Sequence, residues 1–426
     1  MRYGVIGAGV LGLSVALRLR QRGHDVVVLE RADLPGGLAA SFEIEDGVWL
    51  EKFYHHLFRS DRAAIALIDE LGLSDRMVWT QPVTTVLRDG RIYPLDSPRS
   101  VLAFDPLPVV DRLRLGAGVA LLRLMPSPGS LEHERASDWV PRVMGRRAYD
   151  VVWGPLLEGK FGDAGGDISM AWLWARIHSR TARLGYLRGG FHHLYAALSE
   201  RIEASGGEVR YGQAVSEIRR RSGRLEVETA NEAAPETFDR VVSTLPTQLT
   251  VKLTPEIPDS FRERYPVPPA LGAHCLVLSL DRSLTDVYWI GVNEPDYPFL
   301  ALVEHTKMLS PDDYGGRHLV YLGNYRPHDD PIFRMSTDEV IDQFTPYIQR
   351  INPAFDRAWV RDAWSFGAPF AQPIVTPGFA SRIPPFDSPV PGLSLANMFQ
   401  VYPHDRGQNY SIELAERLVA HLDRTP

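Results

Sequence analysis

The hydrophobic pattern of the first thirty residues changes its period twice. The apolar run from Tyr3 to Ile6 is short and continuous, which predicts a buried strand. The next apolar residues recur at helical spacing: Leu13, Ala16, Leu17 and Leu19. After Gly23 the run DVVVLE is β-branched and apolar up to Glu30, as in a strand covered on both faces of a parallel sheet. This order of strand, turn, helix and strand predicts the beginning of a doubly wound α/β domain.

The same two periods recur later in the chain. One amphipathic helix is predicted after Gly190 and a second after Gly407, and each has its apolar residues on one face: Leu194, Leu198 and Ile202 in the first, and Ile412, Leu414, Ala415 and Leu418 in the second. Runs rich in β-branched and aromatic residues predict strands at 273–280, 318–321 and 359–365.

Glycines fill the turn between the first strand and the first helix, in the order Gly7-Ala8-Gly9-Val10-Leu11-Gly12. Gly7 permits a tight turn, Gly9 lets the backbone approach a pyrophosphate, and Gly12 lets the helix and strand pack closely. The start of the helix, which includes Val10 and Leu11, offers free N–H groups to that pyrophosphate. Glu30 ends the second strand 18 residues after Gly12, where a carboxylate can hold ribose hydroxyls. Together these residues predict a dinucleotide site.

A second glycine pair follows in the segment Glu30-Arg31-Ala32-Asp33-Leu34-Pro35-Gly36-Gly37-Leu38-Ala39. This arrangement resembles the extended fingerprint of a flavoprotein superfamily that contains amine oxidases, protoporphyrinogen oxidases, phytoene-type desaturases and UDP-galactopyranose mutases. The resemblance implies FAD as the cofactor, with Arg31, Gly36, Gly37, Leu38 and Ala39 at the cofactor site. Leu38 stands where many members have arginine, so one side-chain contact to the cofactor is missing.

Later segments resemble the same superfamily. His56-Leu57-Phe58 is similar to a His-Ile-Phe motif of mutases and some desaturases, which makes His56 a catalytic candidate. The resemblance also implies backbone contacts from Val215 to the adenine and from Met398 to the diphosphate or ribityl chain. The last predicted helix should direct its free N–H groups at the flavin ring. Its first residues therefore join the expected cofactor site: Gly407, Asn409 and Tyr410, with Asn409 or Ser411 as the helix cap.

Because the cofactor segments are separated in sequence, the resemblance implies two interleaved domains and an α/β fold class. Residues 1–80, 185–245 and 367–426 are expected to form a discontinuous Rossmann-type FAD-binding domain. Residues 81–184 and 246–366 are expected to form an α+β substrate domain, with a mixed sheet and helices over one face.

Composition and charge exclude several classes of function. The chain has 426 residues, of which 44% are hydrophobic and 23% charged, as is ordinary for a globular protein of two domains. A net charge of -7 argues against a nucleic-acid partner. The single cysteine, Cys275, excludes a disulfide framework and a cysteine-built metal site, so we expect no metal. This cysteine content fits the cytoplasm, which is the location we expect.

The sequence also bears on membranes. No run of about 18 apolar residues occurs, so no spanning helix is predicted. Since the first strand begins near Tyr3, we expect no cleaved leader. The most lipid-like region is 101–125, which is interrupted by Arg112, Arg114 and Arg123. Two interpretations remain open for it: an amphipathic helix that covers a substrate pocket, and a helix that contacts a membrane peripherally.

Cationic and aromatic residues are candidates for a pocket that takes a small-molecule substrate. Arg176, Arg180 and Arg183 are spaced four and three residues apart, which predicts one helical face, either a solvated stripe or a site for an anion such as a diphosphate or carboxylate. Lys160 is either a catalytic cation beside the flavin or a surface lysine. Tyr402, as an aromatic wall, and Arg406 are further candidates for substrate binding.

Two uses of the flavin remain open. In the first, which we expect, the enzyme is an FAD-dependent oxidoreductase that dehydrogenates a C–N or C–C bond of a small organic substrate by hydride transfer to flavin N5. In the second, it is a non-redox isomerase that resembles the UDP-galactopyranose mutases and works with reduced flavin. The motif at His56 and the arginines at 176–183 favour the second use.

Overall fold

The computed structural model describes residues 1–231 and 234–424. The amino-terminal pattern forms a parallel sheet, as predicted. Its strands lie side by side in this order: Glu208–Arg210, Asp25–Leu29, Arg2–Ile6, Arg240–Ser243 and Leu393–Leu395. These strands come from distant parts of the chain, so the sheet is assembled from interleaved segments. The expected fold class, a Rossmann-type α/β unit together with an α+β part, is confirmed.

Helices pack together beside the parallel sheet. They are Val10–Gln21, Arg62–Glu70, His192–Ala204 and Gln408–Leu422. The first of them is buried along most of its length, because its glycine, alanine and leucine residues let it lie close to the sheet and to the last helix. Arg18 ties three of these helices together: its Nε donates to Glu416 at 2.5 Å and its two Nη atoms donate to Glu70 at 2.7 and 2.8 Å.

A mixed sheet forms the second layer of the molecule. Its strands follow one another in this order: Val360–Pro373, Ala270–Leu280, His318–Arg326, Ala301–Glu304, Trp289–Val292, Thr84–Arg88 and Arg91–Pro94. The strands predicted at 273–280, 318–321 and 359–365 are therefore present. Trp359 lies just before the last of these, which begins at Val360. That strand pairs with its neighbour as far as Pro373, so residues 367–373 belong to the mixed sheet and not to the FAD-binding part assigned to them. The helix Thr337–Ile351 packs on this sheet.

The remaining helices belong to the segments 98–178 and 247–264. They are Pro98–Ala103, Val109–Leu124, Ala136–Met144, Arg146–Ala148, Gly154–Phe161 and Met170–His178, followed later by Thr247–Leu253 and Asp259–Arg264. A π-helical turn, Tyr149–Trp153, leads into the helix that carries Lys160.

Short strands complete the structure in three small antiparallel groups: Ser41–Glu45 with Val48–Glu51; Leu57–Phe58 and Met77–Thr80 on either side of Leu184–Leu187; and Val215–Arg221, Arg224–Thr229 and Glu236–Phe238. In the second group, the strand that contains Leu57 pairs with Leu184 and Gly185. This pairing holds the His55–His56 segment beside the region that follows the helix Met170–His178.

Candidate active site

The glycine turn after the first strand has no room for side chains. Gly7 has a φ of 103°, and a Cβ there would lie 2.5 Å from Thr244 Oγ1. A Cβ on Gly12 would lie 1.9 Å from the carbonyl oxygen of Gly7. The helix starts at Val10, so the N–H groups of Val10, Leu11 and Gly12 have no partner within the helix. The turn therefore presents bare backbone and N–H groups at the carboxyl edge of the sheet.

The second glycine pair packs against the first turn. The N–H of Gly36 donates to the carbonyl oxygen of Ala8 at 2.9 Å, and Gly36 and Gly9 form a parallel bridge. Gly36 and Gly37 have φ values of 123° and 58°, which disfavour any other residue. A Cβ on Gly37 would lie 3.3 Å from Gly9 Cα. The two turns thus pack together as one unit, which we call the glycine cradle (Gly7–Gly12 with Gly36 and Gly37).

Glu30 lies at the edge of the glycine cradle. Its Oε2 accepts from the N–H of Ala8 at 2.7 Å and its Oε1 accepts from the N–H of Ala32 at 2.8 Å. Each carboxylate oxygen keeps a further lone pair for a ligand hydroxyl. The chain before Val215 is held here as well, because Gln213 donates its N–H to the carbonyl oxygen of Glu30 at 2.7 Å. Arg31 is exposed beside this carboxylate.

The last helix begins beside the same region, and one expectation about its start is wrong. Gly407 is the N-cap, with no side-chain cap. Asn409 does not cap its own helix: its Oδ1 accepts from the N–H groups of Ala63 and Ala64 at 2.9 and 3.1 Å, so it caps the helix Arg62–Glu70. Ser411 instead donates its N–H to the carbonyl oxygen of Gly407 within the first turn. Asn409 acts across the two helices because they pack side by side.

Two other predicted cofactor residues flank the last helix and the last strand. The ring of Tyr410 stacks on His404, with 4.1 Å between the ring centroids. Met398 begins a short 3₁₀ turn that is capped by the side chain of Asn397. Ala396, which precedes Asn397 and Met398, donates its N–H to the carbonyl oxygen of Ser243. The segment around Met398 therefore continues from the carboxyl edge of the parallel sheet.

A small cleft lies near the glycine cradle and the start of the last helix. Leu38, which follows Gly37, lines one end of it, and Arg406, which precedes Gly407, lines another part. The other lining residues are Phe53, Tyr54, His55, Ala273, His274, Cys275, Gly323, Asn324, Tyr325, Ala368 and Ala371. Most of these come from the mixed sheet, so the cleft lies against that sheet. Ala39 points away from it and is buried.

Cations gather around a single carboxylate beside this cleft. Lys160 is only 7% exposed, so it is not a surface lysine, and its Nζ lies 3.1 Å from Asp405 Oδ2. Arg176 Nη1 lies 3.7 Å from the same oxygen. Burial lowers the pKa of Lys160 and the Asp405 charge opposes that shift. The positive charges hold the pKa of Asp405 well below its usual range, although burial alone would raise it.

Tyr325 links this cation group to the cleft, and the sequence analysis missed it. Its hydroxyl accepts from Arg406 Nη2 at 2.6 Å, while Arg406 Nη1 donates to Gln372 Oε1 at 2.6 Å. Lys160 Nζ lies 4.7 Å from the centre of the Tyr325 ring. Burial raises the pKa of Tyr325, but the charges of Arg406 and Lys160 outweigh it, so the pKa lies below its ordinary value. Nothing in the sequence around Tyr325 indicated these neighbours, because Lys160 and Arg406 are distant in the chain.

The predicted arginine stripe on one helical face is wrong. The helix ends at His178, before Arg180 and Arg183. The Thr181 hydroxyl accepts from the N–H of Arg59 and donates to the carbonyl oxygen of Arg183, a local pattern that competes with helix formation. Arg180 and Arg183 are both exposed, and the Cζ of Arg180 lies 5.5 Å from the centre of the Phe58 ring.

The surroundings of Arg180 leave its charge unmatched. Desolvation and the nearby charge of Arg176 lower the pKa of Arg180 to about 9, although the residue is exposed, and its guanidinium is charged at neutral pH. Of these arginines, Arg176 lies on the same carboxylate as Lys160.

The histidine pair is close to these arginines, and both rings are neutral at ordinary pH. Burial, followed by the charges of Arg180, His55 and Arg176, lowers the pKa of His56 to about 3. Burial lowers the pKa of His55 to about 4. His55 Nδ1 donates to the carbonyl oxygen of Phe53 at 2.6 Å, which leaves Nε2 as an acceptor. His55, and not the predicted His56, lines the cleft; the His56 ring lies beside Tyr288.

Tyr402 does not line the cleft, contrary to its expected role as an aromatic wall. Its hydroxyl donates to Glu132 Oε2 at 2.7 Å and is 2.8 Å from Ser169 Oγ. Its ring packs on Phe379, with 5.0 Å between the ring centroids. The partners Glu132 and Ser169 were not predictable from spacing, since both are far away in the chain. Tyr402 thus joins the helical layer to the segment before the last helix.

The described residues 1–231 and 234–424 contain no cluster of three or more histidine, cysteine or acidic side chains that could hold a metal ion. They also contain no helix that is long and apolar enough to cross a membrane. The polar groups that the site does offer are backbone N–H groups at the glycine cradle, the carboxylate of Glu30 and the cations of the cleft. This set fits a dinucleotide, because the cradle has no side chain that would block a diphosphate and Glu30 retains acceptor positions for a ribose.

The fold and the site define a dinucleotide-binding α/β protein, and comparisons with known proteins specify the family. A family model described as "Flavin containing amine oxidoreductase" matches residues 12–404. The chain therefore belongs to the flavin-containing amine oxidoreductase family, which implies a flavin cofactor and oxidoreductase chemistry. The expected superfamily is confirmed.

Individual relatives are distant or match over short segments. The chain is 40% identical to the 15-cis-phytoene desaturase of Synechococcus elongatus over 79 residues, which cover 18% of this chain and 17% of that protein. It is 26% identical over 200 residues to the chloroplastic protoporphyrinogen oxidase of Nicotiana tabacum, covering 46% and 35%. A crystal structure of reduced UDP-galactopyranose mutase superposes with a TM-score of 0.76 at 16% identity, covering 100% and 96% of the two chains. The matches to the curated relatives thus span a small part of their length, and the structural similarity defines the fold.

Proposed function

We propose that the chain binds FAD and uses it to dehydrogenate a small organic anion. The N–H groups of Val10, Leu11 and Gly12 would hold the diphosphate, and Glu30 would hold the ribose. The sequence proposes further cofactor contacts: Gly7, Gly9, Arg31, Gly36, Gly37, Leu38, Ala39, Val215, Met398, Gly407, Asn409 and Tyr410. When bound, FAD supplies an acceptor for two electrons and for the hydride of a substrate C–H bond.

The imbalance of charge beside the cleft supports an anionic substrate and is the observation that carries the proposal. Among the described residues that meet there, the cations are Lys160, Arg176 and Arg406, and the carboxylate is Asp405, with the exposed Arg180 near Arg176. Cations in a poorly solvated site are costly unless an opposite charge balances them. A substrate carboxylate or phosphate would supply that charge through bonds from Arg176 and Arg180. Arg183, which is exposed, has no part in this proposal.

Tyr325 is the residue best placed to hold or move a proton. Dehydrogenation of a C–N or C–C bond removes a hydride from carbon and a proton from the neighbouring atom, and that proton must go to a base. Arg406 and Lys160 favour the phenolate form of Tyr325 and also fix the position of its oxygen. His56, with a pKa of about 3, is a weak base at neutral pH. We therefore propose Tyr325 in this role, with Lys160 supporting its charge.

Anaerobic titration of the purified protein tests the proposal. Candidate amines, polyenes and porphyrinogens would be supplied both as free carboxylates and as the corresponding esters. We expect a free acid to bleach the flavin absorbance, and the ester to need a much higher concentration. The double variant Arg176→Gln/Arg180→Gln should weaken the response to the acid at least tenfold, because each charged hydrogen bond contributes roughly 1.5–3 kcal/mol. It should leave the FAD content unchanged.

Arg183→Gln is the matched control, since Arg183 belongs to the same segment but lies outside the cleft. Equal responses to acid and ester, or an equal loss in the control, would contradict an anion site at Arg176 and Arg180. The non-redox alternative is tested with the same protein after reduction by dithionite. If the reduced protein isomerises a nucleotide sugar without net oxidation of the flavin, its function is isomerisation and not dehydrogenation. The two sequence features that favoured that reaction are weakened by the structure, because His56 does not line the cleft and the helix ends before Arg180 and Arg183.

A further inference from the structure

The helix Val109–Leu124 is apolar on two faces, and only one of them packs on the protein. The inward face carries the buried residues Leu115, Gly118 and Leu122. Gly118 lies so close to Met144 of the neighbouring helix that a Cβ there would lie 2.4 Å from Met144 Cγ. This face therefore accounts for the attachment of the helix to the fold, and the opposite face is not needed for it.

The opposite face, which we call the outward face, is an exposed apolar stripe. Its residues recur at helical spacing: Val110, Leu113, Ala117, Leu121 and Leu124. Val110 is 72% exposed, Leu113 57%, Leu121 46% and Leu124 83%. Leu102, on the adjacent helix Pro98–Ala103, is also 52% exposed. Large exposed side chains are usually scattered singly, so a cluster of them indicates a surface that binds a partner.

The charges around the outward face are complementary to an anionic surface. Residues 98–125 contain four arginines, Arg99, Arg112, Arg114 and Arg123, and two aspartates, a local charge of +2 in a chain whose net charge is -7. Arg114 and Arg123 are exposed. A symmetric dimer through this face would bring these like charges together, whereas an anionic bilayer attracts them and accepts the apolar side chains below its headgroups.

The helix is also joined to the cleft. The indole N–H of Trp174 donates to the carbonyl oxygen of Met125, just after the helix, at 3.1 Å. Arg123 Nη2 lies 3.5 Å from the carbonyl oxygen of Arg180. Trp174 belongs to the helix Met170–His178, which also carries Arg176. The carboxyl end of the exposed helix is thus fixed beside the cationic side of the cleft.

We propose that the outward face docks the protein on the surface of an anionic lipid bilayer, with the helix lying in the plane of the interface. The apolar stripe enters the boundary between headgroups and acyl chains, and the arginines contact lipid phosphates. Docking in this orientation brings the Arg180 side of the cleft near the membrane. This proposal does not depend on the reaction that the flavin performs.

Cosedimentation of the full-length purified protein with vesicles tests the proposal. One set of vesicles contains equal amounts of phosphatidylglycerol and phosphatidylcholine, and the other contains phosphatidylcholine alone. We expect binding to the anionic vesicles that weakens as salt is added, and at least tenfold weaker binding to the neutral vesicles. The triple variant Leu113→Gln/Leu121→Gln/Leu124→Gln should bind the anionic vesicles at least tenfold more weakly than the wild type.

Two controls keep the result interpretable. Val83→Gln/Val267→Gln changes other exposed apolar residues, 44% and 42% exposed, and should leave vesicle binding unchanged. Leu124→Gln alone cannot disturb the core at 83% exposure and should still weaken binding. Failure of the wild type to bind anionic vesicles, or unchanged binding by the triple variant, overturns the proposal. A dimer that forms without vesicles and dissociates in the triple variant also overturns it, because the outward face would then be an interface between two copies of the chain.

Discussion

Replacement of Asp405 by asparagine removes the negative charge that Lys160 contacts. The variant keeps the shape of the side chain but leaves Lys160 buried without its counter-charge. At 3.1 Å and an effective dielectric constant of about 20, the attraction between the two charges is about 5 kcal/mol. Loss of one partner of a buried ion pair typically costs about 3–5 kcal/mol. We therefore expect Asp405→Asn to lower the free energy of unfolding by about 3–5 kcal/mol.

Urea unfolding of a double-mutant cycle measures this energy. The cycle comprises Asp405→Asn, Lys160→Met and the double variant, all followed by far-UV circular dichroism. The double variant should be more stable than Asp405→Asn, because Lys160→Met removes the uncompensated charge. Asp296→Asn breaks an exposed ion pair with Arg350 and should cost no more than about 1 kcal/mol. A coupling energy between Asp405 and Lys160 below about 0.5 kcal/mol would refute the account of the cation group.

Three further predictions concern the surroundings of the site. Gly12→Ala should destabilise the protein by roughly 1–3 kcal/mol and lower its flavin content, because the added Cβ meets the Gly7 carbonyl oxygen; Gly116→Ala, where nothing lies within 4 Å of the added Cβ, should be neutral or stabilising by comparison. Burial raises the pKa of Glu51 from 4.5 to about 7, so the contribution of this group to stability is present below pH 4.5 and lost as pH rises through 7. In urea titrations, the stability of the wild type relative to Glu51→Gln should therefore fall by about 3 kcal/mol over that window. A difference that does not change with pH would contradict the burial argument. Asn409→Ala should cost about 1–2 kcal/mol in thermal unfolding, since the helix that Asn409 caps loses acceptors for two N–H groups; no change would show that water replaces the cap.

The glycine cradle could be predicted from the sequence because its signals are local. The strand, the turn and the helix lie within thirty residues, and each glycine has a steric reason that spacing alone conveys. A Cβ at Gly12 or at Gly36 would collide with backbone atoms. The strand at 273–280 was predictable for the same reason, since its apolar and β-branched residues are consecutive.

The cations beside the cleft were candidates from the sequence, but their partners Asp405 and Tyr325 could not be predicted, because these residues meet only through the tertiary fold. Lys160 contacts Asp405 across 245 residues of sequence, and no pattern near either residue indicates the pair. The predicted stripe of Arg176, Arg180 and Arg183 was wrong because helical spacing does not show that the helix ends at His178. Tyr402 failed for a similar cause: its hydroxyl is held by Glu132, a distant partner that directs the ring away from the cleft. The domain boundaries proposed from the sequence stay predictions apart from residues 367–373, which the mixed sheet contains.

The most direct test of the account is the absorbance spectrum of the purified protein, followed by analysis of what it releases on denaturation. The account predicts an oxidised flavin spectrum and the release of FAD, in an amount equimolar with the chain, because the glycine cradle and Glu30 hold a dinucleotide. A colourless protein that takes up no FAD on reconstitution, while remaining folded, would contradict it.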